Sequence, residues 1–533
     1  MYFPFGERLW PLSTAVAALP VVVMFYLLAV RGVRPHLSAM AGAGTALVVA
    51  GGVFGMPWGT AAASFLFGAG FGLKIAWIVV AAVFLYDISV ETGQFQIMRD
   101  SVASLSSDRR LQALLVAFAF GAFIEGCAGF GAPVAISGAF MIGLGFDPFH
   151  AAVLNLIANT APVAWGAIGT PVHTLAAVTG LPESDLSAMV GRILPFTAII
   201  VPFWMVRTMV SWKETFEVWP AILVCGGSFG LTQYLWSNHV DSNLVDIASA
   251  VACLIAMVLF MKLWHPEHQS AIRNSKSQIV KAWTPFVILT LFVLLWGLPS
   301  IKNALNKATT PVFDMPALHN QVYRDRPVVA ERAPEAARFD ANWLTATGTA
   351  CFLAAVFSGL FLGLRPARLF QLFFLTLHRM RFAALAIICM LGLGYVTRYS
   401  GADAVLGLAF TRTGWLFPFF GTFLGWLGVA LTGSDTASNA LFGGLQRITA
   451  EQLRMDPILM CAANSAGGVM GKMVDAQSIV VATAATGQVG QEGKILRALL
   501  WHSVALAAIV GVIVMVYAYL LPQWVPHGLT FVK

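Results

Sequence analysis

Two carboxylic acids and a lysine stand in stretches where nearly every neighbour is apolar. Glu125 follows one apolar run, in EGCAGFGAPVA (125–135), and Asp435 follows another, in TGSDTASNA (432–440). A charge at the centre of a bilayer-spanning helix costs about 2.5–3.5 kcal/mol even on lenient scales, so such residues are functional or locally satisfied. The functional reading is a carboxyl that binds and releases a proton, letting an anion cross as a neutral pair. The other reading is a carboxylate held by the N–H groups of its own turn. Lys472, in ANSAGGVMGKMVDA (463–476), either counters an anion or pairs permanently with Asp435 or Glu125.

The same segments are rich in glycine, amide and hydroxyl groups. Gly126, Gly129 and Gly131 flank Phe130 in the first, and Pro133 suits the first position of a new helix. In the second, Ser434, Thr436 or Ser438 can cap the helix that follows, with Asn439 beside them. Asn159 and Thr160, in ANTAPVAWGAIGTP (158–171), match Asn464 and Ser465, and Gly471 precedes Lys472. A helix that begins inside the membrane presents unpaired N–H donors and a partial positive charge, which suits a carboxylate. Irregular backbone at that depth is tolerable only where protein or a water-lined cavity satisfies it. Asp475 reads as the cap of a restarted helix or as another proton carrier. His173 reads as a partner-bonded histidine or a coupling group, and Arg398 and Arg412 as interface anchors or vestibule groups.

Positioning these residues requires a membrane architecture. Of 533 residues, 58% are hydrophobic and 11% charged, which excludes an ordinary soluble domain. Apolar runs at 12–30, 190–210, 244–261 and 498–521 are each long enough to cross a bilayer. The net charge of +7 resides in loops, where Arg and Lys report orientation and not nucleic-acid binding. The six cysteines lack metal spacing, and neither a metal nor a cofactor is expected. No cleavable signal is read in the first apolar run.

At an offset of about 307 the chain resembles itself: LSAMAGAG from Leu37 lies over LTATGTAC from Leu344, and ANTAPVAWG lies near ANSAGGVMG. Each unit reads as three helices, a glycine-broken hairpin, an interrupted helix and a last helix. The predicted fold is therefore an all-α polytopic membrane protein, an inverted-repeat secondary transporter with two re-entrant hairpins, two broken helices and about 12 crossings. Residues 1–109 supply scaffold helices, and 110–180 the first hairpin and broken helix. Residues 181–282 supply the last helix of that unit and two linking helices. Residues 283–414 supply the second scaffold with an irregular external loop at 300–342, 415–487 the second hairpin and broken helix, and 488–533 a C-terminal helix. The basic loops place both termini outside.

EGCAGFGAPVAI, LIANTAPVAWGAIGTPV, LTGSDTASNALFGGLQ and AANSAGGVMGKMVDAQSIVVATAATG together resemble the lactate permease family, which carries lactate, glycolate and related 2-hydroxy acids with protons. The resemblance covers nearly the whole chain. It extends the family pattern to Glu125, Gly129, Asn159, Asp435, Ser438, Asn439, Asn464, Gly471 and Lys472. Two positions depart from it: Asp475–Ala476 replaces serine–proline, and Trp165 replaces phenylalanine. A serine–proline pair caps a helix and opens its first turn, so the first departure favours capping by Asp475. A further likeness to dicarboxylate carriers implies an elevator-like transport domain of 110–180 and 415–487 on a dimeric scaffold.

The function expected is proton symport of a small 2-hydroxy monocarboxylate across a bacterial inner membrane. The substrate would be held by Gly129, Phe130, Gly131, Asn159, Thr160, Ser434, Ser438, Asn439, Asn464, Ser465, Gly471 and Lys472. Asp435, Glu125 and His173 are the proton-coupling candidates. Its partners are the acid, a proton, the lipid bilayer and a second copy of the chain, with no nucleic acid. Sodium coupling is the nearest alternative. A membrane-embedded acid–base enzyme lacks a nucleophile–base pair here, and an anion channel would not need repeats of this kind.

Overall fold

The computed structural model describes residues 4–27, 31–103, 105–129, 132–264, 276–297, 305, 309, 311–325, 332–488 and 491–528. Seven helices among them are long and apolar enough to cross a membrane, or eight if the bent pair Pro148–Ala158 and Val163–Thr179 is one span. Shorter apolar helices at Trp10–Met24, Ser277–Val293 and Thr347–Phe361 add to these. The expectation of about 12 crossings counted the shorter apolar helices and both interrupted helices as spans; Arg109–Cys127, read as part of a hairpin, is one of the seven.

Two long helices, Trp58–Glu91 and Pro366–Ser400, lie side by side. Pro366 opens the second. Their pairing is sealed near one end by Asp87, which accepts from Thr376 Oγ1 and from Arg379. Glu183–Met209 takes Glu183 and Asp185 into its first turn, and acidic side chains favour that end of a helix.

The segment at 300–342 is more ordered than expected. Among its described residues, Val312–Asp314 pairs antiparallel with Arg338–Asp340, and Tyr323–Arg324 with Ala333–Pro334. Glu335 lies between Arg324 and Arg398, both within ion-pair distance. Burial alone would push its carboxyl up, but the two guanidinium groups outweigh that and hold it below the ordinary carboxylate range. Arg398 is thus a half-buried anchor, and Arg412 stacks over the Trp10 ring at 3.9 Å.

Both interrupted segments start alike. Asp147 caps Pro148–Ala158 and Asp456 caps Pro457–Gly471, each with proline in the first turn. The first bends by 63° before Val163–Thr179. At its break, Ala167, Ile168 and Gly169 have φ of 44°, 58° and 74°, a left-handed turn that is costly for the two non-glycine residues. The far end of that helix is held by three donors. Tyr395 Oη donates to Ala177 O at 2.7 Å, Arg398 to Val178 O at 2.9 Å, and Arg447 to Thr179 O.

Candidate functional site

Glu125 lies on Gly121–Ala128, and Gly129 ends that helix with φ 59° and ψ −154°, a conformation suited to glycine. Gly129 packs against Ala167 in the left-handed turn of the first interrupted helix. Gly166 there makes room for the acid: a methyl group on it would lie 2.7 Å from Glu125 Oε1. Glu125 is buried and its Oε2 has no hydrogen-bond partner. Asn159 and Lys472 face it, yet neither amide atom of Asn159 makes a hydrogen bond of normal geometry.

The second hairpin is built from Phe417–Thr432 and Asp435–Gln452. Gly433 ends the first helix in the left-handed conformation, and Ser434 caps the second by accepting from Ala437 N–H. Ser434 therefore has a capping role, although it also faces the site. Asp435 Oδ2 accepts from Ser465 Oγ at 2.5 Å and from Asn439 Nδ2 at 3.3 Å, while Oδ1 is unpartnered. Gly468 admits this carboxylate; a methyl there would overlap Oδ1.

Lys472 bonds neither acid directly. Its Nζ donates to Gly433 O at 2.6 Å and lies 3.6 Å from Asp475 Oδ2. Asp475 Oδ1 accepts from Ser478 N–H at 2.7 Å, the geometry of a helix cap. Glu125, Gly129, Gly166, Ala167, Thr170, Ser434, Asp435, Thr436 and Lys472 line one small cavity of ≈ 30 Å³, enough for about two waters. The first turn of Asp435–Gln452 opens onto it, where helix N–H groups lack intrahelical partners. The Thr170 and Thr436 hydroxyls approach to 3.5 Å beside it.

Other expected site residues have their polar atoms engaged elsewhere. Asn464 Nδ2 donates to Asn439 Oδ1 at 2.9 Å, and its Oδ1 accepts from Gln446. Asn439 Nδ2 also reaches Pro171 O, and Ser438 Oγ donates to Gly425 O. Thr160 Oγ1 donates to Ile157 O. Gly471 packs against Trp426 O on the neighbouring helix, a close backbone approach of the small-residue kind. Phe130 and Gly131 lie outside the described residues. His173 is elsewhere: its Nε2 meets Asn243 Oδ1 at 2.8 Å and its Nδ1 meets Glu183 at 2.9 Å. It lines a larger cavity of ≈ 380 Å³ with Lys74, Asp241, Ser242 and Asn243.

Sequence reasoning left two residues of this cavity out of the site: Thr170 and Thr436 each follow a helix break, the signal that could have found them. Asp246, buried behind Glu125, lies among the first residues of a helix, where an acid is ordinary.

Residues 13–521 match the sequence model of a family described as L-lactate permease. A glycolate permease of Escherichia coli (strain K12), GlcA, is 44% identical over 97% of this chain and 98% of its own length. An L-lactate permease of Salmonella typhimurium (strain LT2) is 44% identical over 98% and 99% of the two chains. One from Bacillus subtilis (strain 168) is 41% identical over 98% and 99%.

Proposed function

Because the chain belongs to the L-lactate permease family, we propose that it carries a small 2-hydroxy monocarboxylate, lactate or glycolate, together with a proton. The protein is a multi-pass membrane transporter, and the membrane proposed is the bacterial inner membrane with both termini outside. The observation that carries the proton-coupled reading is the charge balance of the small cavity: Glu125 and Asp435 line it against Lys472, whose ammonium is already near Asp475. A substrate carboxylate entering beside two ionised carboxylates would be repelled in a low-dielectric setting. Protons on Glu125 or Asp435 remove that repulsion, so anion and proton bind together.

The anion's carboxylate would sit at the first turn of Asp435–Gln452, near Lys472, with the Thr170 and Thr436 hydroxyls within reach of its 2-hydroxyl. The left-handed turn at 167–169 and the capped turn at 433–434 hold these groups in place. One proton per monoanion makes the step electroneutral, sparing the roughly 2.3 kcal/mol per 100 mV that an uncompensated charge would experience. The larger cavity is read as the outward vestibule. The hairpins and interrupted helices form the moving part on a dimeric scaffold of the remaining helices.

The test is uptake of labelled L-lactate and glycolate into proteoliposomes with an inward proton gradient and no sodium. Accumulation should approach about tenfold per pH unit of gradient. Accumulation of neither acid unless sodium is supplied would sink the proton-coupled reading.

A further inference from the structure

Asp246 is fully buried on Val245–Leu263, and neither of its carboxyl oxygens has a hydrogen-bond partner among the described residues. It is not a cap: Asp241 already accepts from the N–H groups of Asn243 and Leu244 just ahead of this helix. Nor does it have a counter-ion among the described residues. The groups facing it are Glu125, the Trp165 backbone N–H and the Cys127 thiol, and that N–H donates to Pro162 O. Lys472 and Asp475 also face Glu125.

The position links two cavities. Asp241, Ser242 and Asn243 line the larger one, and the helix carrying Asp246 begins immediately after them. Glu125 lines the smaller one. Contact between the two elements is close, since a methyl on Gly126 would lie 3.0 Å from Asp246 Cβ. A buried carboxylate without a cation or donors is unfavourable unless it is neutral for part of its working life. Two buried acids facing each other can share a proton more readily than they can both be ionised.

We propose that Asp246 is a second proton-carrying carboxyl, relaying protons between the larger cavity and Glu125. In the step, an O–H bond at Asp246 breaks as one forms at Glu125, and the summed charge of the pair is unchanged. This rests on the proton-coupled reading above and adds the route by which the proton reaches the site.

The experiment compares wild type with Asp246→Asn in proteoliposomes, using labelled L-lactate. Asparagine is close in shape to the neutral acid and cannot pass a proton on. Proton-driven accumulation should fall at least tenfold, while exchange of internal for external lactate at equal pH stays within twofold of wild type. The folded state should also tolerate the change, giving a single size-exclusion peak and a thermal midpoint no lower than wild type. Undiminished accumulation overturns the relay, as does loss of exchange together with accumulation. An Asp246→Asn protein that fails to fold overturns it too, because the relay requires a neutral side chain to fit there. Wild type that fails to accumulate lactate on a proton gradient would instead overturn the proton-coupled reading, before any variant is compared.

Discussion

The two hairpins meet at one cavity but are finished differently. Around Asp435, amide and hydroxyl groups engage one another: Ser465, Asn439, Asn464, Gln446 and Ser438 form a continuous network that ties the hairpin to the second interrupted helix. Around Glu125, Asn159 and the acid face each other without a completed hydrogen bond, and Asp246 stands behind them without any. A connected buried network rigidifies even where single atoms such as Asp435 Oδ1 and Gln446 Oε1 stay unpartnered, whereas a group with no completed bond costs its desolvation until something binds it. The second hairpin thus resembles a platform, and the first keeps polar capacity in reserve for a proton or ligand.

The strongest way to break this contrast is to disrupt the platform. Gly468→Ala places a methyl on Asp435 Oδ1, and Gly425→Ala places one on Asn464 O. Overpacking of this kind costs about 1–3 kcal/mol and often more, so both variants should lose the monodisperse, folded protein, as size-exclusion chromatography and thermal melting would read. Next in size, Glu125→Gln should keep the fold yet lower proton-driven uptake at least tenfold, while lactate exchange persists. An exchange rate that falls equally would make Glu125 a substrate-positioning group and not a proton carrier.

The amides sharpen the comparison further. Asn464→Ala strands partners on Asn439 and Gln446 and should cost about 1–3 kcal/mol of stability. Asn159→Ala strands no satisfied partner, so its melting midpoint should hardly move while the apparent KM for lactate changes. Equal destabilisation of the two would erase the distinction between platform and reserve. The smallest effect belongs to the segment around Glu335. Its lowered carboxyl contributes stability fully above the ordinary glutamate value of 4.5, lost as pH falls through the depressed value. Hydrogen-exchange protection at 312–325 and 332–340, corrected for the intrinsic pH dependence of amide exchange, should therefore be flat between about pH 5 and 8 and fall only below about pH 4.

Much of this was legible because a membrane makes polarity conspicuous. Glu125, Asp435 and Lys472 stand out against apolar neighbours, and the structure brings all three to one cavity. The roles of Ser438, Asn439 and Asn464 were not legible. Residue type announces hydrogen-bonding capacity, but whether that capacity meets a ligand or another side chain depends on partners up to 268 positions away, as with Asn439 and Pro171. Asp246 escaped notice because an acid in the first turn of a helix is the commonest kind of acid. The strands of the 312–340 region escaped because two- and three-residue pairings leave no alternation to read.

The three donors that hold the end of the first interrupted helix have a bearing on how the chain is made. Tyr395, Arg398 and Arg447 reach back 218, 220 and 268 positions to Ala177, Val178 and Thr179. At about 5–20 residues per second, the ribosome needs roughly 10–50 s to supply them after that helix has emerged. Through that interval three carbonyls wait without their final partners, and the amino-terminal half cannot finish on its own. Expressed separately, the two halves should each be short-lived and rescue one another when made together.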